Sequence, residues 1–177
     1  MDERLMDSRE GAKTNILLDK SVIFLRSIGI PVHFRPIATD CFLPGISIVN
    51  GEIVVDMEKL KYPGDILHEA GHIAVVPASE RSTLNEHSIA QREQREAEEM
   101  MVIAWTYAAC VYLGIDASFV FHENGYKGGG NSIADNFKNG NYFAVPMLQW
   151  VGMTQEKKNE ADPDKPVYPA MLQWLRN

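Results

Sequence analysis

An α+β fold in one domain, residues 1–177, is what the amino-acid sequence predicts, on three observations. Residues 45–56, GISIVNGEIVVD, place two β-branched runs around Asn50-Gly51, the dipeptide preferred in a two-residue type I′ hairpin turn. Downstream, residues 66–74 and 90–113 are apolar-rich stretches of helical length. Finally, 177 residues that are 45% apolar and 23% charged suffice for one hydrophobic core and not for two. The sheet is expected to be small and largely antiparallel, packed on the two helices.

The elements follow in chain order. Residues 1–13 are charged and expected to fray, with Thr14 or Asn15 capping a helix that carries Leu18, Val22 and Leu25 and ends at Gly29. Pro31 opens an extended stretch, residues 32–36, before the hairpin. Tyr62-Pro63-Gly64-Asp65 punctuates the chain, and the next helix runs through Ile66, Leu67, Ile73 and Ala74 and stops before Pro77. Two capping boxes compete to start the longest helix, Thr83-Leu84-Asn85-Glu86 and Ser88-Ile89-Ala90-Gln91. Its first half offers Arg92/Glu96 and Arg95/Glu99 as i,i+4 pairs. Its second half, MMVIAWTYAACVYL, is apolar all round and belongs in the core up to about Leu113, before Gly114. A glycine-rich loop, ENGYKGGGN, precedes a short helix over residues 132–138. Residues 140–177 read as a C-terminal extension packed on the domain. In it Pro146-Met147-Leu148-Gln149-Trp150 and Pro169-Ala170-Met171-Leu172-Gln173-Trp174 predict two short helices with Pro in the first turn. Trp105, Trp150 and Trp174 are expected in the core.

Composition excludes several function classes. Net charge is −7, with 17 basic against 24 acidic side chains and no Lys/Arg-rich stripe, which disfavours direct binding to nucleic acid or anionic membrane. No apolar run approaches the ~18 residues of a membrane span. The polar start, MDERLMDSREGAK, has no apolar signal region, and Cys41 and Cys110 form no CxxC pair. A cytoplasmic protein with reduced thiols is expected.

The chemistry-bearing run is His68-Glu69-Ala70-Gly71-His72. Residues four apart share a helix face, so His68 and His72 can hold one metal ion, with Glu69 beside the first ligand as general base towards a metal-held water. Gly71 costs about 1 kcal/mol mid-helix relative to Ala and suits close approach of a neighbouring backbone. A catalytic zinc usually takes a third protein ligand, and the long helix offers Glu93, Glu96, Glu98 and Glu99. If Ala90, Ala97, Met101, Ala104 and Ala108 form the buried stripe, Glu93 lies nearest its centre and Glu99 on the far side. Since the later helix is apolar on every side, periodicity leaves the four open. His122 and Tyr126 lie in a loop that can reach the site and hydrogen-bond a tetrahedral intermediate. Lys127-Gly128-Gly129-Gly130 lacks the P-loop order and reads as a turn or lid.

The order of helix, strand, LPGISIVNGEIVVD hairpin, HExxH helix and glutamate-bearing helix resembles the ImmA/IrrE family of zincin-like metallopeptidases over residues 16–110. The resemblance implies a zincin-like fold and Zn2+ held by His68, His72 and a Glu under thirty residues past the second His, the spacing that Glu99 matches best. It implies hydrolysis of a peptide or protein substrate, and a transcription regulator as partner, commonly a repressor that is cleaved. A non-catalytic, metal-binding regulatory module is its second implication. The chain departs from the family after Glu99, where Met100-Met101-Val102 replace a small Ala-Asn or Ala-Asp pair and an aromatic, leaving Glu98 and Glu96 as alternatives. No helix-turn-helix segment is evident, so a regulatory partner would be a separate chain or absent.

Overall fold

The computed structural model describes residues 3–38, 42–157 and 162–177 and is α+β, with seven α-helices and a three-stranded sheet among those residues. The hairpin forms as the sequence predicts. Strands β2 (Ile46–Val49) and β3 (Glu52–Val55) pair antiparallel, with Ile48 opposite Ile53. Asn50 and Gly51 turn between them with φ of 53° and 74°, both positive as a type I′ turn requires. Gly51 is also needed sterically, because a Cβ there would lie 2.1 Å from the Arg81 carbonyl oxygen.

The sheet is mixed rather than largely antiparallel. Strand β1 (Val32–Phe34) pairs parallel with β3, Val32 opposite Ile53, in the order β1-β3-β2. The chain crosses from β1 to the far edge, and the hairpin then returns β3 into the gap, running with β1. Ile46, Ile48, Ile53 and Val55 join the core from the sheet.

Helix α2 (Asp65–Val75) is the centre of the molecule, touching β2, β3, α1 (Glu3–Ser27) and α5 (Arg95–Leu113). It ends where expected: Val76 is extended, as a residue before proline prefers to be. Helix α1 runs from Glu3 to Ser27, so Thr14 and Asn15 lie inside it and cap nothing. Gly11 disfavours a helix in this stretch by about 1 kcal/mol relative to Ala. Leu18, Val22 and Leu25 form its buried face, while Ile16 and Ile23 are exposed.

The long apolar helix, α5 (Arg95–Leu113), starts later than either capping box predicts and is second in length to α1. Residues 78–90 instead form two short helices, α3 (Ala78–Arg81) and α4 (Glu86–Ala90). The box that forms is Asn85 with Ser88, each side chain bonding the other's backbone N–H at 2.9 Å. Thr83 is diverted to the Glu80 carbonyl. Gly114, in the left-handed region, closes α5.

In the C-terminal part, α6 (Gly130–Lys138) and α7 (Val145–Trp150) form, the latter with Pro in its first turn. The second Leu-Gln-Trp piece is not a helix. Met171 bridges Thr154 and the Leu172 N–H donates to the Met153 carbonyl, so this backbone is used in pairing. Trp105 is buried and its Nε1 donates to the Trp174 carbonyl, but Trp150 is 90% exposed, against expectation. The Arg176 N–H reaches the Ala74 carbonyl and ties the chain end to α2. No helix among the described residues is long and apolar enough to cross a membrane.

Candidate metal centre

The face of α2 turned to α5 carries His68 and His72 one turn apart, with side chains 14% and 12% exposed. Their rings meet edge to face at 4.9 Å. Both Nε2 atoms converge on one carboxylate: His68 Nε2 lies 3.5 Å from Glu99 Oε1 and His72 Nε2 lies 3.5 Å from Glu99 Oε2. One donor atom from each of the three residues falls within 4.8 Å of the other two, and no other such group of three occurs among the described residues.

Gly71 makes the approach of the helices possible. A Cβ there would sit 2.7 Å from Val102 Cγ1 and 3.4 Å from Trp105 Cε3. The neighbour it admits is therefore a pair of α5 side chains, not the backbone that the sequence suggests. Val102 is less than one turn beyond Glu99, so the contact that seats α2 also brings Glu99 to the imidazoles.

The other glutamates are placed elsewhere. Glu98 is buried and held by Arg92 in a bidentate pair, Nε to Oε2 at 2.6 Å and Nη2 to Oε1 at 2.8 Å. A third arm of the same guanidinium donates to Glu80 at 2.7 Å. Glu93 and Glu96 are exposed. The expected Arg92/Glu96 pair does not form, because α5 starts at Arg95 and Arg92 lies outside the helix.

Electrostatics suit a cation. Burial holds both imidazoles in the neutral form that offers a lone pair: His68 is pushed well below the usual range, with His72 adding to the effect, and His72 is pushed down to about 4, with Arg95 adding. Burial, followed by the charges of Asp65, Glu86 and Glu99, raises Glu69 to about 8. Burial also raises Glu99, against the nearby Arg95. Carboxyls that disfavour one another's ionisation, beside two neutral nitrogen donors, are relieved by a bound dication, and this set of one oxygen and two nitrogen donors fits Zn2+.

The glycine-rich segment reaches the site, though not as a free donor. Tyr126 Oη lies 2.9 Å from His68 Nδ1. His122 Nε2 lies 3.1 Å from Asp65 Oδ1, and its ring stacks on Tyr62 at 4.2 Å. Asp65 and Tyr62 were not singled out from the sequence. The available signal for Asp65 was its position three residues before His68, on the same helix face. Cys110 is buried with its thiol pushed up to about 12, while Cys41 lies outside the described residues. Compared with protein-family models, with curated proteins and with solved structures, the chain matches none.

Proposed function

We propose that the protein is a zinc-dependent hydrolase of zincin-like, ImmA/IrrE-like type that cleaves peptide bonds in a peptide or protein substrate. The observation that carries this reading is the convergence of His68, His72 and Glu99 donor atoms within 4.8 Å, with Glu69 following His68 in α2 and near enough to Glu99 for their charges to interact. His68 and His72 would bind the ion through Nε2 and Glu99 through a carboxylate oxygen. When bound, Zn2+ supplies Lewis-acid polarisation of the scissile carbonyl and lowers the pKa of a water towards about 7.

The chain's own groups do the rest. Glu69 takes a proton from the attacking water at a carboxylate oxygen and returns it to the leaving nitrogen. Burial and the neighbouring carboxyls favour protonation of Glu69, so a proton taken from water is held there until the leaving nitrogen accepts it. The charge of Arg95 favours the neutral form of His72 and the ionised form of Glu99, the forms in which both donate to a cation. Peptide rather than another acyl substrate follows from the family resemblance, as does a transcription regulator as substrate or partner.

The test combines elemental analysis with hydrolysis of a mixed peptide pool read by mass spectrometry. Wild-type protein is expected to hold about one zinc per chain. His72→Ala and Glu99→Gln lose it, and Glu69→Gln keeps it while cleavage falls by about 100-fold or more. Absence of stoichiometric zinc refutes the metal centre. Zinc with unchanged cleavage in Glu69→Gln refutes the assigned base, and zinc with no cleavage by wild type favours the non-catalytic regulatory module.

A further inference from the structure

We propose that Tyr126 is a positioning residue for His68, fixing its imidazole in the tautomer that leaves Nε2 bare for a metal; the inference rests on the metal-centre reading above. Nε2 of His68 is turned to Glu99 at 3.5 Å, and Nδ1 is turned to the Tyr126 hydroxyl at 2.9 Å. A neutral imidazole has one N–H. When the phenol oxygen accepts it from Nδ1, the Nε2 lone pair is free and faces the other two donors. The two rings also meet at right angles with centroids 5.3 Å apart, which restricts rotation of the imidazole about its own axis.

The backbone is bent to make this contact. Tyr126 and Lys127 have φ of 53° and 56°, in the left-handed region that side chains with a Cβ disfavour. A bulky residue held there, with its hydroxyl on a buried imidazole, is strain placed where it serves a site. The segment is fastened a second time by His122, whose Nε2 lies 3.1 Å from Asp65 Oδ1. Asp65 and His68 are three residues apart on one face of α2, so the segment is clipped to the helix at two points about a turn apart. Phe121 packs on the Tyr126 ring at 5.2 Å and supports the first clip.

Tyr126→Phe retains the ring and removes only the oxygen. Zinc titrations against a competing chelator are run on wild type, Tyr126→Phe and His72→Ala, with 15N–1H spectra of the histidine rings in the zinc-loaded proteins. The expected result is a 10–100-fold weaker zinc affinity for Tyr126→Phe. Its backbone amide spectrum stays like that of wild type, and the protected His68 Nδ1–H signal of wild type is lost. If His72→Ala abolishes zinc binding and Tyr126→Phe binds as wild type does, the role of Tyr126 is overturned and the metal centre stands. If wild type binds no zinc, or His72→Ala binds as tightly, both fall. The spectrum of wild type decides independently of any variant's folding: zinc on His68 Nδ1 instead of Nε2 overturns the proposal.

Discussion

Gly71→Ala sets two effects of similar size against each other. Alanine is favoured over glycine inside a helix by about 1 kcal/mol, and on propensity alone the variant would be more stable. The new methyl, however, would lie 2.7 Å from Val102 Cγ1 and 3.4 Å from Trp105 Cε3. Carbon atoms prefer about 3.5–4.0 Å, so α2 or α5 would have to yield by about 0.8 Å or more. Neither neighbour yields easily. Val102 and Trp105 are both 0% exposed, and a valine in a helix has one strongly preferred rotamer. Overpacking costs about 1–3 kcal/mol, and this site belongs near the upper end, giving a net loss of about 2 kcal/mol. For a chain of this length that lowers the melting temperature by about 4–8 °C.

The assay is urea and thermal unfolding of a double-mutant cycle with Val102→Ala, which removes the obstructing methyl groups. The pair should be more stable than the sum of the single changes by about 1 kcal/mol or more, because each alteration fills or vacates the same space. A Gly71→Ala variant at least as stable as wild type, or a cycle additive within about 0.5 kcal/mol, would refute this account of how α2 is seated.

Glu98→Ala removes the buried partner of Arg92, and since the guanidinium keeps Glu80 and is itself partly exposed, the cost is about 2 kcal/mol rather than the 3–5 of a fully buried pair. Zinc affinity should be unchanged; a loss matching that of Glu99→Gln would show that the wrong glutamate has been assigned. Asp116 is lowered to about 2 by the Ser118 backbone N–H and hydroxyl and then by Lys138. A folded-state value below the unfolded one stabilises above about pH 4, and that stabilisation is lost as pH falls through about 2. Urea midpoints of wild type and Asp116→Asn should therefore differ at pH 6 and draw together below pH 4; a constant gap would contradict this.

What was legible in the sequence was local. Asn50-Gly51 states its turn because both residues tolerate positive φ, and His68 and His72 state their shared face because helical spacing depends on nothing distant. The third donor was not legible in the same way. Which of Glu93, Glu96, Glu98 and Glu99 faces α2 depends on where α5 starts. That start lies beyond the Asn85–Ser88 box, which caps α4 instead, and beyond Arg92, which reaches across to Glu80 and Glu98. The parallel β1–β3 pairing is likewise a contact between segments about twenty residues apart, which no local pattern announces. The two Leu-Gln-Trp pieces make the point most directly. Nearly the same residues give a helix at Val145–Trp150 and a bridge to Thr154 at Met171, because only the second has backbone partners within reach.

Several departures from local rules meet at one cluster, and this supports the functional reading. Gly71 interrupts a buried helix with the least helix-favouring residue short of proline. Tyr126 and Lys127 hold left-handed backbone. Glu69 and Glu99 are carboxyls raised by burial, and His68 and His72 are imidazoles lowered by it. The left-handed backbone and the desolvated groups cost the fold something, and Gly71, unfavourable in helix propensity, is required by the close approach of Val102. They have one benefit in common: Gly71 brings the helices together, Tyr126 reaches His68, and the desolvated acids and imidazoles share the space that Glu99 closes. Unfavourable choices scattered through a structure would point to a poorly optimised chain; unfavourable choices that meet at one set of donor atoms point to a ligand whose binding offsets them.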